Sequence, residues 1–351
     1  MNNLRKPISH MTGILLTYLI YIFPFQTVIE LLNGINFLIY YPFLYSCLVY
    51  ILLMIFFKSK RSSRIFRLIV YEGMGIGFIS LFILSFALSI KSFFIFDYFY
   101  LGVSSLFLIF ILVFVSLKKG SLIRDKKICL TTSKIKKDLK FLFMSDVHLG
   151  SNSKNHLNYV IIKIKKQNYD ALLIGGDLID SSSFDVNELK IFKTLNKPIF
   201  FISGNHEFYL KEWTKISNEF HKFNIKIIDN KKHIFSGINI VGISDDLSEK
   251  NREYMIQELK DKKKFNLILM HKPSIVWKKL TSVVDLMLCG HTHNGQIFPF
   301  NFLVRLKHKY VYGIFKNKKS TLYVSSGIGC WGPKMRLGSH NELVQIIIRK
   351  E

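Results

Sequence analysis

Four long apolar runs occupy the first third of the chain: roughly Met11–Leu32, Phe37–Phe57, Val70–Ile90 and Phe93–Leu117. Each is about the twenty residues that a helix needs to cross the ~30 Å hydrocarbon core of a bilayer. A helix of a soluble protein keeps a polar face, and these runs have none. A secretory signal would account for the first run only, and that run is too long and lacks a small-residue cleavage site. Residues 1–117 therefore read as an all-α membrane domain of four transmembrane helices.

The charges beside these runs set an orientation. Residues 1–119 hold ten Lys or Arg but only three acids, Glu30, Glu72 and Asp97. The basic residues gather before the first run (Arg5, Lys6), after the second (Lys58, Lys60, Arg61, Arg64, Arg67) and after the fourth (Lys118, Lys119, Arg124, Lys126, Lys127). The opposite turns offer Lys91 alone. Lys and Arg in short loops stay on the cytoplasmic side, so both termini are expected there, with the C-terminal domain in the cytosol against the membrane. Glu72, close to the start of the third run, is placed to pair with Arg67 or to reach the interface. The formal charge of +18 carried outside residues 1–119 is met most economically by anionic head groups beside the anchor, and no nucleic-acid partner is expected. The four cysteines show no CxxC spacing and read as reduced thiols, with Cys289 a small buried residue.

From about Lys136 the pattern changes. Short apolar segments, KFLFMS (140–145), ALLIGG (171–176), PIFFIS (198–203), FNLILM (265–270) and DLMLC (285–289), alternate with stretches of helical spacing such as HLNYVIIKIKKQ (156–167) and VNELKIFKTL (186–195). That alternation predicts an α/β domain, and the strand-rich second half predicts a second sheet. The basic stretch 118–137 reads as a linker, and 138–351 as the second domain.

Polar residues collect just after the strand ends: Asp146 and His148 in SDVHLG, Asp177 in GGDLID, Asn205 and His206 in SGNHE, His271, and His291 and His293 in GHTHNGQ. Ligands of open α/β sheets bind beyond the carboxyl ends of the strands. Any one of these pieces is unremarkable as a turn, but five in series point to one metal site rather than to unrelated loops. Imidazoles and carboxylates without a required thiolate suit Mn, Fe or Zn in a catalytic role. The two oxygens of Asp177 could bridge a pair of ions, an arrangement that suits in-line phosphoryl displacement. In an extended segment His291 and His293 would point the same way, one to each ion, with the flanking glycines letting the backbone approach.

These ordered motifs closely resemble those of the calcineurin-like metallophosphoesterases, over about residues 138–349. The resemblance implies a four-layer α/β sandwich and a centre of two divalent ions. Carried over motif by motif, one ion would take Asp146, His148, Asp177 and His293, and the other Asp177, Asn205, His271 and His291. His206 matches the histidine that contacts the phosphate and serves as acid to the leaving group, with a metal-activated hydroxide attacking. A membrane-associated bacterial branch carrying GHTHGGQ is nearest, which implies a multi-pass protein of the bacterial inner membrane. Here Asn294 replaces the usual Gly of that motif, a residue that tolerates positive φ better than most. In SSGIGCWGPKMR (325–336), Arg336 is either a phosphate-binding residue or a solvated surface arginine.

Three functions remain open on the sequence. One is hydrolysis of a lipid-linked phosphodiester or pyrophosphate, such as the UDP-2,3-diacylglucosamine on which some membrane-associated relatives act. The second is a tethered hydrolase of soluble nucleotides or phosphodiesters. The third is an inactive receptor or scaffold, against which the complete ligand set argues. The stretch 296–319 holds eight aromatic or leucine side chains and six Lys or Arg, with no acid. That composition suits a bilayer interface, and equally a core-packed hairpin with a solvated basic edge.

Overall fold

The computed structural model describes residues 2–34, 41–58, 64–95, 97–180 and 184–351. They form two compact units, Met1–Lys118 with Gly332–Leu337, and Lys119–Trp331 with Gly338–Glu351.

In the helical unit, Ser9–Asn33, Phe66–Phe93 and Tyr98–Ser121 are long and apolar enough to cross a membrane. The second expected span falls on the helix Pro42–Lys58, whose apolar part, Pro42–Phe56, is shorter than the other three. Residues 35–40 and 59–63, which flank it, lie outside the described part. Leu31, Leu84, Ala87 and Ile109 form a small core, whereas Ile51, Ile55, Phe86, Phe107 and Phe110 face outward. An apolar exterior around a thin interior is what a lipid solvent permits. A π-helical turn at Tyr18–Ile22 precedes Pro24, which has no N–H to donate. The carbonyl of Ile20 lies where a Cβ on Gly77 would stand, so only glycine allows that approach. Within this unit the backbone N–H of Lys334 donates to Glu72 (3.2 Å), and that of Arg336 to the carbonyl of Ser116 (2.9 Å).

Among the described residues, the second unit contains twelve strands in two six-stranded sheets, numbered here along the chain. One sheet runs β1 (Ile123–Thr132), β12 (Asn341–Lys350), β2 (Leu139–Met144), β3 (Ala171–Ile174), β4 (Ile199–Phe201), β5 (Ile225–Ile227). The other runs β10 (Gly313–Asn317), β11 (Ser320–Val324), β9 (Leu286–Cys289), β8 (Phe265–Met270), β7 (Ile238–Ile243), β6 (Lys231–Phe235). β2 to β5 are parallel, as are β7, β8, β9 and β11, so their carboxyl ends gather at one edge of each sheet.

The packing gives four layers. Phe141, Phe143, Leu173 and Phe200 of the first sheet meet Ile240, Leu267, Leu269 and Leu288 of the second in a buried core. The outer face of the first sheet is covered by Leu157, Val160, Ile161 and Ile164 of the helix Lys154–Lys165 and by Leu189 and Phe192 of a 3₁₀ segment, Val186–Thr194. The outer face of the second is covered by Ile256, Val276, Trp277 and Leu280. This is the α/β sandwich expected from the sequence.

Two expectations need correction. The stretch 118–137 is not simply a linker, because Ile123–Thr132 is a ten-residue edge strand pairing in parallel with β12. Its side chains are mostly exposed and several are basic, so no apolar alternation marked it. Residues 296–319 are not one hairpin either. They hold a helix, Phe300–Lys307, with no buried residue, followed by β10, which pairs with β11.

Candidate metal centre

The loops after β2, β3, β4, β8 and β9 bring six of the seven expected ligands, Asp146, His148, Asp177, His271, His291 and His293, together with His206. Three groups have ligand atoms within 4.8 Å of one another: Asp146, His148 and His293; Asp177, His271 and His291; and His148, Asp177 and His206. His293 Nε2 lies 3.4 Å from Asp146 Oδ1, and His271 Nε2 lies 3.1 Å from Asp177 Oδ2. His291 and His293 thus fall in separate groups. The segment is not extended: His291 (φ 73°) and His293 (φ 48°) are left-handed, and Thr292 between them is helical. A tight turn, rather than strand alternation, divides the pair between the two groups.

Left-handed backbone recurs across the site. Asp146, His148 and Asp177 also have positive φ, as does Asn294 at 50°, the conformation for which an asparagine was expected to serve. Such strain is kept only where surroundings enforce it, and here it aims short side chains inward from separate loops. The glycines allow the approach. A Cβ on Gly290 would run into Asp146 Oδ2, and one on Gly204 into Asp177 Oδ1. Backbone N–H groups then fix the carboxylates: His291 donates to both oxygens of Asp146 (3.1 Å each), and His206 donates to Asp177 Oδ1 (2.9 Å).

The donor set fits divalent cations. Nε2 of His148 and Nε2 of His293 face each other at 3.1 Å, a contact that needs a proton or a cation between two lone pairs. Asn205 Oδ1 is buried with no hydrogen-bond partner, and an orphaned carbonyl oxygen is a hard ligand awaiting a cation. His271 donates from Nδ1 to the carbonyl of Gly175 (2.8 Å), which leaves Nε2 free for Asp177 and the centre. The electrostatics point the same way. Burial alone would raise the Asp177 carboxyl, but the imidazoles of His271, His148 and His206 hold it well below the usual range. Burial pushes His291 down to about 2, helped by His271, so it is a neutral imidazole. Burial also opposes charge on His271, yet Asp177 outweighs it and carries that ring up to about 10. A proton and a metal ion compete for the same Nε2.

Two residues quoted within the motifs, but given no role there, support the ligands. Asp180 Oδ2 sits 3.3 Å from His148 Nδ1 and accepts from Ser151 Oγ (2.6 Å), while its Oδ1 accepts from Ser151 N (2.9 Å). It holds the ring of His148 from behind. Glu207 is fully buried and accepts from the backbone N–H groups of Gly204, Asp177 and Ile179 (2.8–3.0 Å), tying the β3 and β4 loops together. An acid two or three residues after a ligand was the available signal. Cys289 is buried and, among the described residues, all four cysteines are free thiols. Arg336 is fully buried, so it is not the solvated surface arginine of one reading, and it belongs to the helical unit.

Comparison with known proteins agrees with this geometry. The family model of calcineurin-like phosphoesterases matches residues 139–295. An uncharacterized metallophosphoesterase of Campylobacter jejuni is 35% identical over 255 residues, covering 69% of this chain and 67% of its own. One from Helicobacter pylori is 34% identical over 227 residues, 61% of this chain and 60% of its own. A Danio rerio protein named as a transmembrane protein with a metallophosphoesterase domain is 27% identical over 234 residues, and the match spans 53% of its length. The chain therefore belongs to the calcineurin-like metallophosphoesterases and is a hydrolase of phosphoester bonds.

Proposed function

We propose that the protein is a membrane-anchored phosphoesterase with a centre of two divalent ions, hydrolysing a phosphodiester or pyrophosphate bond of a lipid-linked substrate. The observation that carries the two-ion reading is the position of Asp177, whose carboxylate lies in one donor group with His271 and His291 and in another with His148 and His206. Asp146, His148, Asp177 and His293 would hold one ion, and Asp177, Asn205, His271 and His291 the other. Bound there, divalent ions supply Lewis acidity to the phosphoryl oxygens and a source of nucleophile at neutral pH.

The chain's own residues do the rest. Asp177 is oriented from both sides, by the N–H of His206 and by the ring of His271. His206 Nε2 lies 3.9 Å from Asp177 Oδ2, and its side chain is more accessible than those of His148, His271 and His293. That accessibility supports His206 as the proton donor to a leaving alkoxide. The catalytic domain faces the cytosol in this reading, as the basic loops imply. A nucleotide-activated diacyl lipid such as UDP-2,3-diacylglucosamine is the substrate we favour, and soluble phosphodiesters are the second reading.

The test is to purify the full chain, reconstitute it with Mn²⁺, Fe²⁺ or Zn²⁺, and count metal per chain. Asp177→Ala should lose most bound metal and activity together, whereas His206→Ala should keep the metal and lose roughly 10²–10⁴-fold in rate. Full activity with normal metal content in Asp177→Ala would overturn the assignment.

A further inference from the structure

The helix Phe300–Lys307 has no buried residue, although six of its eight positions are not charged and five are apolar. Leu306 is 84% exposed, Leu303 57% and Phe302 56%, and Phe300 and Phe298 beside them are about half exposed. A helix that packs on a soluble domain buries its apolar stripe, and this one turns that stripe outward. It is nevertheless firmly placed. A Cβ on Gly295 would run into Asn301, so the start of the helix is pressed against the His293 turn. Just past its end, the ring of His308 meets that of His291 edge-on, with centroids 5.4 Å apart. Both ends of an outward apolar helix are thus fixed on the loop that carries two candidate ligands.

We infer that the Phe298–Leu306 face is a membrane-docking surface that inserts into the head-group region of an anionic bilayer. Charge complementarity selects that occupant. Arg305, Lys307 and Lys309 are exposed beside the apolar side chains, and no acid occurs anywhere in residues 296–319. Cations flanking exposed aromatic and leucine side chains match a surface that is apolar a few ångströms down and negative above. Chain connectivity favours the same occupant. Helix Tyr98–Ser121, long and apolar enough to cross a membrane, ends two residues before β1 begins at Ile123. A bilayer carrying that helix is present at high effective concentration, so a weak interfacial helix suffices to dock. The inference extends the proposed function by giving a lipid-borne phosphate a route from the interface to the His291–His293 loop, but the docking itself does not depend on the identity of the substrate.

The experiment is a depth measurement on the full chain in vesicles of phosphatidylcholine with and without phosphatidylglycerol. Nitroxide labels are placed at Leu306→Cys and, as a control, at Tyr254→Cys, which is 62% exposed on the helix Glu249–Leu259. Cys47 and Cys129 are replaced by serine. With phosphatidylglycerol present, the label at 306 should be reached better by oxygen than by a water-soluble nickel chelate, and the label at 254 the reverse. Replacing Arg305, Lys307 and Lys309 with glutamate should return the 306 label to the aqueous pattern. An aqueous pattern at 306 in both vesicles would overturn the inference. So would spin–spin broadening that grows with protein density, because a second copy would then be the occupant. Neither readout uses hydrolysis, so loss of the proposed activity and loss of docking are told apart.

Discussion

Gln296 closes both ends of its amide on the backbone of Trp331: Nε2 donates to the carbonyl at 3.0 Å, and the Trp331 N–H donates back to Oε1 at 2.9 Å. The carbonyl of Gln296 accepts from Ser339 Oγ (2.6 Å), so one residue ties together both sides of the 331–339 loop. The indole of Trp331 then meets the ring of His206 with centroids 6.2 Å apart. Gln296 follows the candidate ligand His293 by three positions, which makes it a bridge between the ligand turn and the proposed proton donor.

Gln296→Leu keeps the approximate volume and removes both hydrogen bonds. Metal content should stay unchanged, while kcat falls by up to about 10²-fold through misplacement of His206, with KM little altered. An unchanged kcat would show that the clasp serves the loop alone.

Much of this arrangement was legible because each candidate ligand follows a short apolar strand, and the five loop motifs carry residue types that turns alone do not require. Strands with both faces buried, such as β3 and β8, read as continuous apolar runs. What escaped was set by tertiary context. β1 is an edge strand with lysines facing solvent, and its partner β12 lies more than two hundred residues along the chain. Period-two reasoning placed His291 and His293 on one side of a strand, whereas the left-handed turn that separates them depends on Gly290 and Asp146 packed beneath it. Asp180 and Glu207 were visible as letters in the motifs, but their work on His148 and on the loop backbones needs the fold.

The contact between Asp180 and Nδ1 of His148 makes a second prediction. A carboxylate behind a metal-binding imidazole fixes its orientation and strengthens it as a ligand, and losing such a partner costs roughly 10–100-fold in metal affinity. Asp180→Asn should weaken one of the two proposed ions by that factor in a chelator competition, leaving the other almost unaffected. Equal weakening of both, or of neither, would remove Asp180 from this role.

Glu342 gives a prediction about stability and pH. Its carboxylate is buried and accepts from Tyr323 (2.6 Å), Ser325 (2.8 Å), the N–H of Ser326 (3.2 Å) and Tyr312 (3.1 Å). Burial pushes the group up, but His340, Tyr323, Ser325 and Ser326 outweigh it and hold it below its ordinary value of 4.5. A carboxylate whose folded pKa is depressed stabilises the fold above its unfolded pKa, and that contribution is lost as pH falls through the folded value. Glu342→Gln should therefore cost about 1–3 kcal/mol at neutral pH. The gap to the unsubstituted protein should narrow once the pH drops below 4.5. Thermal midpoints of the detergent-solubilised chain across pH 3–7 check this, and a gap independent of pH would mean that ionisation of Glu342 contributes nothing.

The exposed helix beside the site bears on which phosphoester is cleaved. Phe300, Phe302 and Leu303 are 45–57% exposed, so serine at all three should spare the fold while removing most of the apolar face. A substrate with acyl chains must reach the centre from a bilayer, and a helix seated in the interface would shorten that path; a soluble aryl phosphodiester arrives through water whatever the helix does. The informative quantity is the ratio of turnover on a vesicle-borne diacyl substrate to turnover on the soluble diester, measured on one preparation so that losses common to both cancel. The triple variant should lower this ratio by about tenfold or more, given the ~25 cal/mol per Å² lost with three large apolar side chains. If both rates fall together, the helix supports the ligand turn rather than the substrate. If the ratio holds and both rates persist, the acyl chains are irrelevant and the soluble phosphodiester becomes the better reading of the site.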